Sequence, residues 1–232
     1  MSLISYFVPK TLYSGSSAYN TNIQVIQVTG ACKLLVNGTV QSFSANSRQV
    51  KAKVWGKMAN IIVKEPKIKN LLLLGMGAGT LLGLLHRRGN HTVTTTSVEI
   101  DPIIIALAKT YFALDRLNNN TTVRGDAYTV VQNPSAYNLQ PPFDCIVIDT
   151  YSGSDFPSNL TSDAFYTNVL ALLSMGGLLV INRIISKDDK KTLASTTNQL
   201  ENHIQPLRVL KVKCPVISDN YILYGLKAKS IK

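Results

Sequence analysis

Three features of the 232-residue sequence predict an α/β fold: a mostly parallel sheet with helices on both faces, preceded by a small antiparallel β unit. From Asn70 onward, continuous apolar runs alternate with helix-period segments, the pattern of parallel strands joined by crossovers. The first apolar run, Leu71 to Leu74, enters a glycine-rich turn at Gly75, Gly77 and Gly79 that opens a helix. Upstream, short alternating runs flank Asn37-Gly38, the strongest short-range hairpin signal.

The N-terminal unit is read as residues 1–47, with strands at Asn22–Thr29, Cys32–Val36 and Thr39–Phe43, all rich in β-branched or alternating apolar residues. Gln49–Val63 places Val50, Val54, Met58, Ile61 and Ile62 at helical spacing among lysines, which predicts an amphipathic helix opening the Rossmann-like unit of residues 48–232. Strands follow at LLLLG, VTTTSVEI, TTVRGD, FDCIVIDT and GLLVINR, with helices near 79–88, 103–114, 126–132 and 161–174 between or beside them. The tail predicts a helix near 187–203 and two strands, Leu207–Lys213 and Tyr221–Leu226, that close the sheet with an antiparallel edge.

With 45% hydrophobic and 16% charged residues, the chain can bury a sizeable core and is neither a disordered tail nor a small disulfide scaffold. Cys32, Cys145 and Cys214 stand far apart without C-x-x-C spacing, so no zinc ribbon or paired disulfide framework is expected and a reducing, cytoplasmic setting fits. The start has neither a secretory nor a transit pattern. The most apolar stretch, Leu71–Leu85, is glycine-interrupted and too short for a membrane span, which needs about 20 residues. The Asn-x-Thr triplets at Asn37, Asn90 and Asn159 are read as coincidences of composition.

The formal net charge is +11. Residues 1–64 hold seven basic residues and no acid, residues 65–182 hold seven basic and nine acidic, and residues 183–232 hold ten and four. The acids are kept in the middle. A basic exterior favours anionic partners, nucleic acid among them, although no recognition motif is visible and solubility alone accounts for scattered lysines.

Glycines in the strand-to-helix turn let backbone pass close to a ligand, and the helix N-terminus that follows offers amide N–H groups. The next strand ends in Val98-Glu99-Ile100-Asp101-Pro102, placing a carboxylate 20 residues beyond Gly79, where a nucleotide ribose is held through its hydroxyls. Two further strands end at Gly125-Asp126-Ala127 and at Asp149-Thr-Tyr151. Acids therefore gather at the C-terminal ends of successive parallel strands, the rim where open α/β sheets bind ligands. Asp126 and Asp149 taken singly also fit helix caps. Tyr151 and Tyr166 either line an acceptor pocket or belong to the core. His86, His91 and His203 have no ligand spacing and Asp188-Asp189 reads as a helix-start pair, so no metal is expected.

These motifs resemble the polyamine aminopropyltransferase (spermidine synthase) family, within the class I S-adenosylmethionine-dependent methyltransferase-like fold. The similarity runs from Ser17–Val25 and Leu35–Ser42 through Gly176–Asn182, and is densest in the run from Asp149 to Tyr166, which resembles the family's D-x-x-S-G…P-x-x-L-x-T-x-x-F-(F/Y) segment. The resemblance implies that Glu99 binds the ribose hydroxyls, with Asp101 counted beside it, and that Asp126 and Ala127 lie at the adenine. Gly75, Gly77 and Gly79 would pass under the nucleoside and its sulfonium arm. Asp149 matches the catalytic aspartate, which takes the proton of an attacking amine, with Tyr151 the second candidate for the chemistry. The co-substrate implied is decarboxylated S-adenosylmethionine or S-adenosylmethionine, the acceptor a small-molecule amine, and the assembly a homo-oligomer.

The sequence departs from that family at the acids that hold ammonium groups. Ala78 stands where the family carries an acid in the glycine turn, Ser152 where it carries a second aspartate, and Arg48–Lys57 replaces an acidic entry run. Losing one buried salt partner costs several kcal/mol, on the order of 3 to 5. Three functions follow: aminopropyl transfer with Asp149 as base, methyl transfer from intact S-adenosylmethionine to a non-polyamine acceptor, and nucleoside binding without turnover.

Overall fold

The computed structural model describes residues 8–89, 92–151, 156–186, 189–214 and 218–228. Asn90, His91, Ser152, Gly153 and Asp188, all noted from the sequence, lie outside the described residues, as does the first part of the loop after Asp149.

Four strands, β1 (Lys10–Gly15), β2 (Ile23–Val28), β3 (Ala31–Val36) and β4 (Thr39–Phe43), form an antiparallel sheet in sequence order. Strand β1 adds to the three strands the sequence predicts; its KTLYSG run is polar and only partly buried, so it carries no alternation signal. Asn37 and Gly38 both take positive φ, 50° and 80°, as a turn matched to strand twist requires.

Seven strands build the second sheet in the order β10-β11-β9-β8-β5-β6-β7. They are β5 (Asn70–Leu74), β6 (Thr94–Glu99), β7 (Asn120–Arg124), β8 (Phe143–Ile148), β9 (Leu173–Ser186), β10 (Arg208–Val212) and β11 (Ser218–Leu226). Pairings among β5 to β9 are parallel, whereas β11 pairs antiparallel with both β9 and β10. The two tail strands close the sheet with an antiparallel edge pair as expected, with the antiparallel strand β11 inserted one place inside and β10 outermost.

The helices are α1 (Val54–Ile62), α2 (Thr80–Arg87), α3 (Pro102–Phe112), α4 (Ala127–Gln132), α5 (Asp163–Leu172) and α6 (Lys190–Leu200). Strand parity separates two cores. Leu71, Leu73, Cys145, Val147 and Val180 face α1, α2, α3 and the N-terminal sheet, while Leu72, Leu74, Ile146, Ile148 and Ile181 face α4, α5 and α6. Both faces are therefore covered, which is why these strands read as unbroken apolar runs.

The helix expected over Gln49–Val63 is interrupted. Val50–Ala52 form a 3-10 turn, Lys53 is extended, and α1 starts afresh at Val54. Gly56 explains the break: a Cβ there would meet the Val50 carbonyl oxygen at 2.6 Å, so glycine lets the turn fold back onto the helix. The tail helix is also shorter than expected, Lys190–Leu200, and opens with Asp189 accepting from Thr192 N at 3.1 Å.

Candidate active site

The strand order reverses at β5, whose neighbours are β6 and β8, and a cleft opens at the C-terminal ends of these strands. Its walls come from Gly75, Gly77, Glu99, Asp126, Ala127, Asp149 and Tyr151 of the sequence-predicted residues. Apolar faces of Val98, Ile100, Ile104 and Leu160 complete it, with Tyr19, Asn20 and Gln41 from the N-terminal sheet region and Trp55 from α1. In a chain of net charge +11, the cleft is lined by three carboxylates and by no Lys, Arg or His among the described residues. That suits a cationic ligand.

Asp149 follows the last residue of β8. Its Oδ1 accepts from Asn182 Nδ2 of β9 at 2.7 Å and its Oδ2 from Trp55 Nε1 at 3.0 Å. Burial pushes its carboxyl above the ordinary aspartate value, and the two donors hold it back. Thus the carboxylate is oriented by neutral donors and made more basic than a surface aspartate. Neither Trp55 nor Asn182 carries a local sequence signal for this role, because 94 and 33 residues separate them from Asp149.

Glu99 ends β6, with Oε2 accepting from Gly77 N at 2.9 Å and Oε1 from Asp101 N at 3.1 Å. Desolvation raises its carboxyl to about 7 against those amides, with the neighbouring Asp101 charge adding to the rise. Asp126 lines the cleft while Oδ1 caps α4 through Thr129 N at 3.1 Å, so the cap and lining readings hold together.

Gly75 has φ +85°, and a Cβ on it would collide with the Asp149 carbonyl oxygen. Glycine is what allows the ends of β5 and β8 to approach closely enough to set Asp149 over the turn.

Several expectations are corrected. The amides of the glycine turn are not free: Gly75 and Met76 donate to Val98 O, Gly77 to Glu99, Ala78 to Ser42 Oγ at 2.9 Å, and Gly79 to Met76 O. Such a turn suits a ligand without a phosphate at this point. Gly79 caps α2 with φ +79° against Leu114 and does not line the cleft. Asp101 is fully buried and also absent from the lining; Oδ1 caps α3 through Ile103 N at 2.9 Å, and Oδ2 accepts from Ser17 Oγ and, at 2.8 Å, from Asn20 Nδ2. It clamps the N-terminal segment onto the second sheet. Tyr151 presents its ring to the cleft, but its hydroxyl donates to Asn182 O at 3.0 Å and accepts from Ile184 N. Burial drives that phenol well above its ordinary range, and both of its hydrogen bonds go to β9 backbone. Ala78 is buried, with β4 bonded to its amide, and is not part of the lining. Ser152 lies outside the described residues.

The described residues contain no group of three or more His, Cys, Asp or Glu side chains arranged to hold a metal, and no helix long and apolar enough to cross a membrane.

No family model matches the chain. It is 35% identical over 113 residues to an N-terminal histidine N-methyltransferase of Emericella nidulans, a match covering 49% of this chain and 19% of that protein. It is 28% identical over 121 residues to a polyamine aminopropyltransferase of Vibrio vulnificus, covering 51% and 38%. The chain thus spans less than half the length of these curated relatives. Among solved structures, a probable spermidine synthase from Corynebacterium glutamicum matches with a TM-score of 0.72 at 19% identity over 94% of this chain and 80% of that one. Human methyltransferase-like protein 13 in complex with SAH matches at 0.62 and 20% identity, over 80% and 84%. In sequence the chain is similar to polyamine aminopropyltransferases over part of their length, and its fold is the methyltransferase-like α/β fold that it shares with the spermidine synthase structure.

Proposed function

We propose that this chain is a transferase that moves an aminopropyl group from decarboxylated S-adenosylmethionine to an amine acceptor, with Asp149 as the proton acceptor. The observation that carries this reading is the Asp149 carboxylate, suspended between Trp55 and Asn182 in a cleft lined by acids and by no base among the described residues. The donor supplies an electrophilic carbon beside a sulfonium. Glu99 takes the ribose hydroxyls, and Asp126 and Ala127 border the adenine. The amine nitrogen forms the new C–N bond as the C–S bond breaks, sulfur keeps the electron pair, and the proton lost from nitrogen goes to an Asp149 oxygen. Burial, which raises the Asp149 pKa, helps it take that proton. In this proposal residues 1–47 form the β unit that roofs the cleft, and residues 48–232 carry the chemistry.

Methyl transfer from intact S-adenosylmethionine is the second reading, favoured by the 35% identity to a methyltransferase. One experiment separates them. The full chain is incubated with either donor and a mixed amine panel, and the products are identified by mass spectrometry. Methylthioadenosine with a new polyamine, lost in Asp149→Asn by about 10²- to 10⁴-fold, supports aminopropyl transfer. S-adenosylhomocysteine supports methyl transfer. Neither product, with both donors still bound, leaves a nucleoside-binding module.

A further inference from the structure

Buried side-chain polar atoms normally find partners, and those that do not call for a ligand or water. In the described residues the unpartnered ones are Thr150 Oγ1, Tyr166 Oη, Asn182 Oδ1 and two guanidinium nitrogens, Arg183 Nε and Nη1. Thr150 lies just past the end of β8, Asn182 and Arg183 lie within the neighbouring β9, and Tyr166 lies on α5 packed behind them.

Arg183 is 4% exposed. Its guanidinium lies 4.0 Å from the Phe156 ring centroid, a cation–π contact that does not neutralise it. No carboxylate pairs with it among the described residues, where the one ion pair joins Lys211 and Asp219. Asp189 acts on it only from a distance, being exposed and committed to Thr192 N and Oγ1. A buried unpaired charge is strongly disfavoured, and water would satisfy the hydroxyls without balancing the guanidinium.

Strand register places this group relative to the cleft. Ile148 pairs with Ile181 where β8 ends, and just beyond it Asn182 Nδ2 donates to Asp149 Oδ1, so Thr150 and Arg183 each follow one residue later. Side chains alternate, so Asp149 and Asn182 share the α1 face, while Thr150 and Arg183 share the opposite face with Tyr166. Tyr151 bridges the two: its ring lines the cleft and packs on Phe156 at 5.5 Å, beneath which Arg183 lies. The orphan set is rich in donors, and so asks for an oxyanion. The helix that carries Trp55 has no acid in its first turn to hold an ammonium group.

We infer that the acceptor carries a carboxylate as well as its reacting amine, and that Arg183, with Tyr166 and Thr150, binds that carboxylate behind the strand ends while Asp149 receives the amine. The inference rests on the transferase reading for the role of the ligand, but its binding test does not need turnover. Calorimetric titration of the full chain, with and without saturating methylthioadenosine, compares 4-aminobutanoate with 1,4-diaminobutane, which differ in having a carboxylate or a second ammonium. The expected result is at least tenfold tighter binding of 4-aminobutanoate, reduced at least tenfold in Arg183→Gln and partly restored in Arg183→Lys. Equal or tighter binding of the diamine by the wild-type chain overturns the inference without recourse to any variant, as does carboxylate binding unchanged in a folded Arg183→Gln. Failure of methylthioadenosine to bind refutes the transferase reading and leaves the anion result standing on its own.

Discussion

Trp55 Nε1 donates to Asp149 Oδ2 at 3.0 Å across 94 residues of sequence, so the first helix after the N-terminal sheet sets the rotamer of the carboxylate at the end of β8. The indole also packs edge-on against Phe43 of β4, ring centroids 5.8 Å apart, which ties the antiparallel sheet to the same carboxylate.

Replacing Trp55 with Phe keeps the packing and removes the donor. A donor to a carboxylate lowers its pKa, so its loss raises that of Asp149 further. Product formation is expected to fall about tenfold, and the acid limb of the pH–rate profile to move to higher pH. A lowered rate with an unmoved profile would show that the indole acts through packing alone.

Glu99 makes nucleoside binding pH-dependent. Its carboxyl lies at about 7 in the empty site, and hydroxyl donors favour the ionised form. Affinity for methylthioadenosine should therefore strengthen from pH 6 to pH 8, by at most about tenfold per unit below the pKa. Folding stability runs the other way. The folded state holds a proton between pH 4.5 and about 7 that the unfolded state has released, so stability is lost as pH rises through that window, by an amount on the order of 3 kcal/mol. Glu99→Gln should flatten both profiles, read by calorimetry and by urea unfolding.

Asp101 is expected to matter to stability more than to chemistry. Asp101→Ala removes an α3 cap worth about 1 kcal/mol and two buried side-chain bonds to Ser17 and Asn20, a combined loss of about 3 kcal/mol. Hydrogen exchange should show residues 10–43 losing protection first. Uniform loss across the chain would count against the clamp.

Gly75→Ala tests the close approach of β5 and β8. A positive φ of 85° costs an alanine about 1 to 2 kcal/mol, and the Cβ meets the Asp149 carbonyl. A displacement of about 1 Å at Asp149 can cost about 10² in rate. The variant should retain its fold by circular dichroism and lose transfer to that extent; full activity would mean that the turn shifts without moving the carboxylate.

Local pattern determined much of this protein. Unbroken runs such as Leu71–Leu74 and Cys145–Ile148 announce strands buried on both faces, Asn37-Gly38 announces its hairpin, and carboxylates at strand ends announce the ligand rim, because each signal lies within a few consecutive residues. Polar, half-exposed β1 carries no such pattern. Tertiary structure alone decided which acids face the cleft. Asp101 and Glu99 are two residues apart, yet one turns inward to clamp Ser17 and Asn20 while the other lines the site. It also decided that Trp55 and Asn182 hold Asp149 and that Arg183 has no ion-pair partner among the described residues. Those relations depend on strand register and on the break before α1, which bring together side chains tens of residues apart, and no local periodicity encodes them.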